Sequence, residues 1–259
     1  MSVATNLKEH VVQFYQGTDG LLAANVGRYL GEGLRRGDGV LVVAGAEHKD
    51  AFIRELQLIG RAPDAAIRDG RLVFLDADEM LARFMVDGQP EWDRFEKALA
   101  PAMWEARAHA SNMQLRAYGE LVGILWKNGN VPAAIRIEEF WNRLLKSSFF
   151  KLFCAYPIDI FSEEFQVSSV DAVLCAHTCV MPAGLNGDLE SAIKLAMDEV
   201  LGSRAEELRT LMKANHGPAW GAVPAAEGNI LWLRNNLGAR ADEILARARE
   251  HYRMSPAWA

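Results

Sequence analysis

Gln16, Asp19, His48, Asp76, Arg116, Tyr118 and Glu120 are side chains whose types and spacing suit ligand chemistry. Each lies at or just beyond the end of a β-rich run. In an open parallel sheet the ligand crevice lies beyond the carboxyl ends of the strands. Carboxylates, an imidazole, a guanidinium and a phenol brought together there would hold a small polar molecule by directed hydrogen bonds. Each also has a plainer use, Asp76 as a helix cap and His48 as a solvated loop residue.

Phosphate chemistry is the first candidate to weigh. The strand, glycine-containing loop and helix over residues 10–36 stand where a P-loop ATPase carries G-x-x-x-x-G-K-[ST]. This chain has QGTDGLL at that place, with no lysine between His10 and His48. Asp19 puts a negative charge where the motif needs a cation. ATP hydrolysis through this loop is not expected, although backbone amides at a helix start still attract anions weakly.

Three other groupings carry chemically able side chains. Cys175, His177 and Cys179 would share one face of a strand and are ligand types that suit zinc, but no fourth ligand is near in sequence, and in a helix only the two cysteines would be neighbours. Glu138 and Glu139 are able to act as acid or base, but adjacent glutamates on a helix usually include one solvated side chain. No Ser-His-Asp or Cys-His nucleophile is assembled by sequence context. No metal or other cofactor is therefore expected.

The elements that must position these residues alternate from His10 to about Phe161. HVVQFY, VLVVA, RLVFL, MQLRAY and KLFCAY read as strands, separated by stretches of helical period. Helices are expected through Leu22, Val26 and Tyr29, through Phe52 and Leu56, through Trp92, Phe95 and Leu99 with Pro90 near the start, and through Ile137, Phe140 and Trp141 after Pro132. GELVGILW fits helix or buried strand, and VSSVDAVLCAHTCVMPAG is equally ambiguous. The pattern is that of an α/β fold, a mostly parallel sheet flanked by helices. From about Gln166 the alternation gives way to a helical extension, so the expected division is 1–165 and 166–259. That extension carries Trp220, Trp232, Leu233, Leu237, Ile244, Leu245 and Tyr252 in a segment too short to make its own core. It is expected to dock on the sheet or to mediate self-association as a homodimer or docking to a partner.

The strings HVVQFYQGTDGLLAANVGRYLGEGLRRGDGVLVVAGAEHKDAF, GRLVFLDADEMLARFMVDGQP, LRAYGELVGILWKNGN, AIRIEEFWNRL and FKLFCAYP together resemble the MEDS family, the methanogen/methylotroph sensory domains. The resemblance covers about residues 10–160. It implies a RecA-like sheet with a degenerate phosphate loop, and small-molecule sensing with hydrocarbon derivatives as the suggested ligands. It also implies a signalling partner such as a histidine kinase or a transcription regulator. The family pattern falls on His10, Phe14, Tyr15, His48, Asp76, Glu79, Arg116, Gly119, Glu120, Glu138, Glu139, Trp141, Cys154, Tyr156 and Pro157. His10 and Tyr15 thereby join the site candidates.

Composition narrows the remaining classes. A formal charge of −6, without a dense basic cluster, argues against direct contact with nucleic acid. No apolar run approaches a membrane span and the first residues carry no signal core, so a cytoplasmic protein with three reduced cysteines is expected. The resulting expectation is a non-catalytic sensor of a small molecule. The alternative is a nucleotide-binding switch or ATPase-like enzyme in which Asp76 and Glu120 hold a metal.

Overall fold

The computed structural model describes residues 9–16, 20–184, 187–214 and 222–253. The chain forms two compact units. The first takes in the opening strand as far as Gln13 and runs on to Pro157; the second holds Phe14–Gln16 and the chain from Ile158 onward.

The first unit is an α/β layer structure. Its elements are β1 (Glu9–Phe14), α1 (Gly20–Arg36), β2 (Gly39–Ala44), α2 (Ala46–Leu58), α3 (Pro63–Arg68), β3 (Leu72–Asp76) and α4 (Ala77–Phe84). There follow β4 (Met85–Val86), β5 (Gln89–Pro90), α5 (Trp92–Ala108), β6 (Leu115–Gly119), α6 (Leu121–Lys127), α7 (Val131–Ser147) and β7 (Lys151–Tyr156). The strands lie in the order β3-β2-β6-β7-β1. β2 pairs in parallel with β3 and β6, and β6 pairs in parallel with β7. All six residues of β2 are buried, as expected for a central strand covered on both faces.

Helices cover both faces. On one, Phe52 of α2 meets the ring of Tyr118 at 4.8 Å, and the guanidinium of Arg116 lies over the ring of Tyr29 of α1. On the other, α5 comes so near β2 that a Cβ on Gly39 would stand 2.0 Å from the Ala106 carbonyl oxygen. Trp141 of α7 covers Gly119, where an added Cβ would be in ordinary contact at 3.4 Å. Trp141 also packs edge-on against Phe95 of α5, and Phe52, Phe95, Phe140 and Trp141 of the helical stripes are core side chains, whereas Tyr29 and Trp92 are half-buried.

Local sequence explains the ambiguous stretches. GELVGILW supplies a helix, α6, whose Gly123 passes close to the Ala155 carbonyl; a side chain there would come within 2.6 Å. Asn130 caps α7 by accepting from Ala133 N–H, and Pro132 sits in the first turn, where its missing amide is harmless. Pro90, expected near the start of a helix, lies in β5, two residues before α5 begins. The intervening Asp87-Gly88 turn has positive φ at both residues, the geometry that a two-residue hairpin requires.

The second unit holds α8 (Val167–Ala176), β8 (Cys179–Met181), α9 (Asp188–Leu201), α10 (Ala205–Ala214), α11 (Ala225–Leu237) and α12 (Ala239–Arg253). The ambiguous stretch VSSVDAVLCAHTCVMPAG is thus a helix followed by a short strand, which bridges to Ala222. α9 packs along α12 with α11 beside them. Leu189, Ile193, Ala196 and Met197 are buried on α9, as are Ile244, Leu245 and Ala248 on α12. The helical extension therefore packs its apolar faces helix against helix, where the sequence suggested that it was too short to do so. Leu233 and Tyr252 are buried and Trp232 is half-buried, whereas Trp220 lies outside the described residues. Among the described residues no helix is long and apolar enough to cross a membrane.

Candidate functional site

Two groups of ionisable side chains gather within the first unit, and a third pair stands apart from both. The first group is at the carboxyl ends of β2 and β6. β2 leads through Gly45 into α2, and β6 leads through Glu120 into α6. Glu120 Oε2 accepts the Gly45 N–H at 2.9 Å, and the Glu120 N–H donates to the Val43 carbonyl at 2.9 Å. Glu120 Oε1 stands 2.7 Å from His48 Nδ1. The His48 ring lies parallel to Phe52, centroids 5.6 Å apart. Both side chains retain some solvent contact, 23% for His48 and 12% for Glu120. The hydrogen bond to the Glu120 carboxylate raises the His48 pKa, with partial burial opposing. The pair can therefore share a proton or receive the polar end of a ligand.

The location follows from topology. The chain leaves β2 through α2 toward β3, whereas it leaves β6 through α6 and α7 toward β7, on the other side in the strand order. α2 and α7 cover opposite faces. Adjacent parallel strands whose connections part in this way leave a crevice at their carboxyl ends, the usual ligand position of doubly wound sheets.

The second group is interior. His10 on β1, Glu138 on α7, and Cys154 and Tyr156 on the neighbouring β7 are all buried. His10 Nε2 is 3.4 Å from Cys154 Sγ and 3.3 Å from Glu138 Oε2, and Cys154 Sγ is 3.8 Å from the same carboxylate oxygen. The Tyr156 hydroxyl donates to Glu138 Oε1 at 2.7 Å, and Asn142 Oδ1 lies 3.3 Å from His10 Nδ1. Burial, then the Glu138 charge, push the Cys154 thiol well above its ordinary pKa. Tyr156 is raised by the same causes. The chemistry of this group is that of mixed nitrogen, oxygen and sulfur donors held in a buried interior.

Arg116 joins neither group. The sequence placed it at the end of its strand, but β6 begins at Leu115, so Arg116 is the second residue and pairs in register with Val40 and Lys151 at the amino ends of β2 and β7. Met113, read as part of the strand, has a left-handed backbone (φ 58°) that delays its start. Four residues of extended chain, roughly 13 Å, separate Arg116 from Glu120. Its Nε donates to Asp38 at 2.9 Å, and Nη1 donates to the Tyr29 carbonyl at 3.2 Å.

The other expected residues are dispersed. Tyr118 is buried between Phe52 and Phe153. Asp76 is exposed and caps α4 by accepting the Glu79 N–H, the plainer of its two uses. Tyr15 and Gln16 follow the end of β1 and belong to the second unit, while Asp19 lies outside the described residues. Cys175 is exposed near the end of α8 and Cys179 is half-buried, and the three residues Cys175, His177 and Cys179 do not converge as metal ligands.

Of the adjacent glutamates, Glu139 is solvated and Glu138 is the buried one. Sequence reasoning named Glu138, Cys154 and Tyr156 within the family pattern but did not gather them with His10. The signal was present in α7: Glu138 falls in phase with Ala134, Ile137, Trp141 and Leu145, placing a carboxylate in the middle of an apolar stripe.

The sequence profile of the MEDS family, described as the MEthanogen/methylotroph, DcmR Sensory domain, matches residues 9–178. No curated protein matches the chain.

Proposed function

Because the chain belongs to the MEDS family of sensory domains, we propose that it is a non-catalytic sensor that takes up a small organic molecule at the carboxyl edge of its sheet. The observation that carries this reading is the partly exposed His48–Glu120 pair at the point where the connections of β2 and β6 part. The walls beside the pair are apolar and aromatic, with Phe52 under the imidazole and Tyr118 behind it. One polar pair on such a wall suits a molecule with a single polar group on a short carbon body, a simple hydrocarbon derivative.

Sensing then works by population shift. The ligand binds one arrangement of the edge loops better than another, and that difference in affinity is the whole of the signal. The change passes to a regulatory partner, a histidine kinase or transcription regulator, in the cytoplasm.

Thermal unfolding in the presence of short-chain alcohols, aldehydes and carboxylic acids tests the reading. At least one member of the panel should raise the Tm of the wild-type chain, and His48→Ala and Glu120→Gln should abolish the rise. Stabilisation by magnesium-ATP alone, with none from the panel, would replace the sensor with a nucleotide switch.

A further inference from the structure

We propose that His10, Glu138 and Cys154 form a binding site for a divalent transition-metal ion, with zinc the best fit, in the interior of the first unit. Their ligand atoms lie within 4.8 Å of one another, and each residue is buried. Metal–ligand bonds of roughly 2.0–2.3 Å at a tetrahedral angle place ligand atoms about 3.3–3.8 Å apart. The separations here are 3.3 Å between nitrogen and oxygen, 3.4 Å between nitrogen and sulfur, and 3.8 Å between sulfur and oxygen. Imidazole, carboxylate and thiolate together suit a borderline ion over a hard one.

The surrounding residues aim these atoms at one point. Asn142 Oδ1 faces His10 Nδ1, which as a donor leaves Nε2 with its lone pair directed at Glu138 and Cys154. The Tyr156 hydroxyl holds Glu138 Oε1, so Oε2 is the atom presented to the other two. Metal-binding histidines and carboxylates are commonly oriented in this way through their second polar atom. Between the three converging atoms the thiol carries the proton to share. A cation removes the mutual repulsion of their lone pairs, and the thiol releases its proton as it binds, while the imidazole keeps its proton on Nδ1 toward Asn142.

The site is independent of the His48–Glu120 edge, and its test reads metal rather than the sensed molecule. Full-length protein purified without chelator should carry about one zinc per chain. Exchange for cobalt(II) should give a near-ultraviolet thiolate-to-cobalt charge-transfer band. Cys154→Ser should lose the band. The double variant Cys175→Ser/Cys179→Ser should keep it, and because it leaves Cys154 as the one thiol of a chain with three cysteines, it tests the assignment even where Cys154→Ser does not fold. Asn142→Ala should weaken zinc binding about 10–100-fold, as expected of a positioning residue. A folded wild-type chain with neither zinc nor a cobalt band, or a double variant that loses the band, would overturn the site and leave an imidazole–carboxylate hydrogen-bonded cluster in its place.

Discussion

His48–Glu120 and His10–Glu138 are the same pair of residue types in two environments. The edge pair keeps part of its surface in water, and few contacts fix it: a strand end, a Gly45 N–H and one stacked ring. The interior pair is shut off from solvent, and its members come from β1 and α7. Water absorbs an imperfect arrangement at the edge, whereas the interior must satisfy every polar atom with protein or with a bound ion. An identical pairing can thus be a replaceable contact in one place and a structural commitment in the other.

A third pair sharpens the contrast. Arg116 and Asp38 are each 7% exposed, and the loss of Arg116 would leave a buried carboxylate without its cation. Arg116→Ala should therefore have the largest effect, a destabilisation of about 3–5 kcal/mol, measured by chemical denaturation. A loss below ~1 kcal/mol would mean that water reaches Asp38 and that the amino end of the sheet behaves like the carboxyl end. In the interior, Tyr156→Phe removes the hydroxyl that donates to Glu138 and should cost about 1–3 kcal/mol. At the edge, Asp76→Ala removes a cap alone and should cost about 1 kcal/mol.

The smallest effect belongs to the edge pair and is best read against pH. The folded pKa of His48 is raised, so the stabilisation from its pairing with Glu120 is fully present below the unfolded value of 6.5 and is lost as the pH rises through the raised folded value. Because both side chains are partly solvated, the magnitude should be about 0.2–1 kcal/mol. Glu120→Gln should flatten that part of the stability profile above pH 6.5. An unchanged slope would show that another group titrates there.

The alternation of strands and helices was legible because each element carries its own periodicity and its own stop signals. Asp76 as a cap, and the edge location of His48 and Glu120, followed from that alternation. Arg116 was misplaced because a single left-handed residue, Met113, delays the strand, and nothing in MQLRAY marks that backbone. Its partner Asp38 is 78 residues away and is joined to it by sheet register rather than by any local pattern. Glu138 was legible as a buried carboxylate by its phase on α7, but its convergence with His10, 128 positions away in the numbering, depends on β1 taking its place beside β7. The apolar faces of the last helices were legible too. That they bury one another follows from the turn at Gly238, whose positive φ ends α11 and lets α12 meet it, and from α9 lying along α12.

Phe14 closes the first strand but belongs to the second unit, where its ring meets the edge of Phe165 at 5.0 Å. During synthesis Phe14 leaves the ribosome ahead of Phe165, which stands 151 positions further along (165 − 14), and must wait for that stretch before its partner exists. Its strand neighbour β7 is made only shortly before. The pairing of β1 with β7 is thus a long-range closure, of the kind that slows folding and leaves an apolar segment in need of protection until it forms. A chain stopped at Pro157 would retain every strand of the first unit and still lack the aromatic contact that anchors the end of β1.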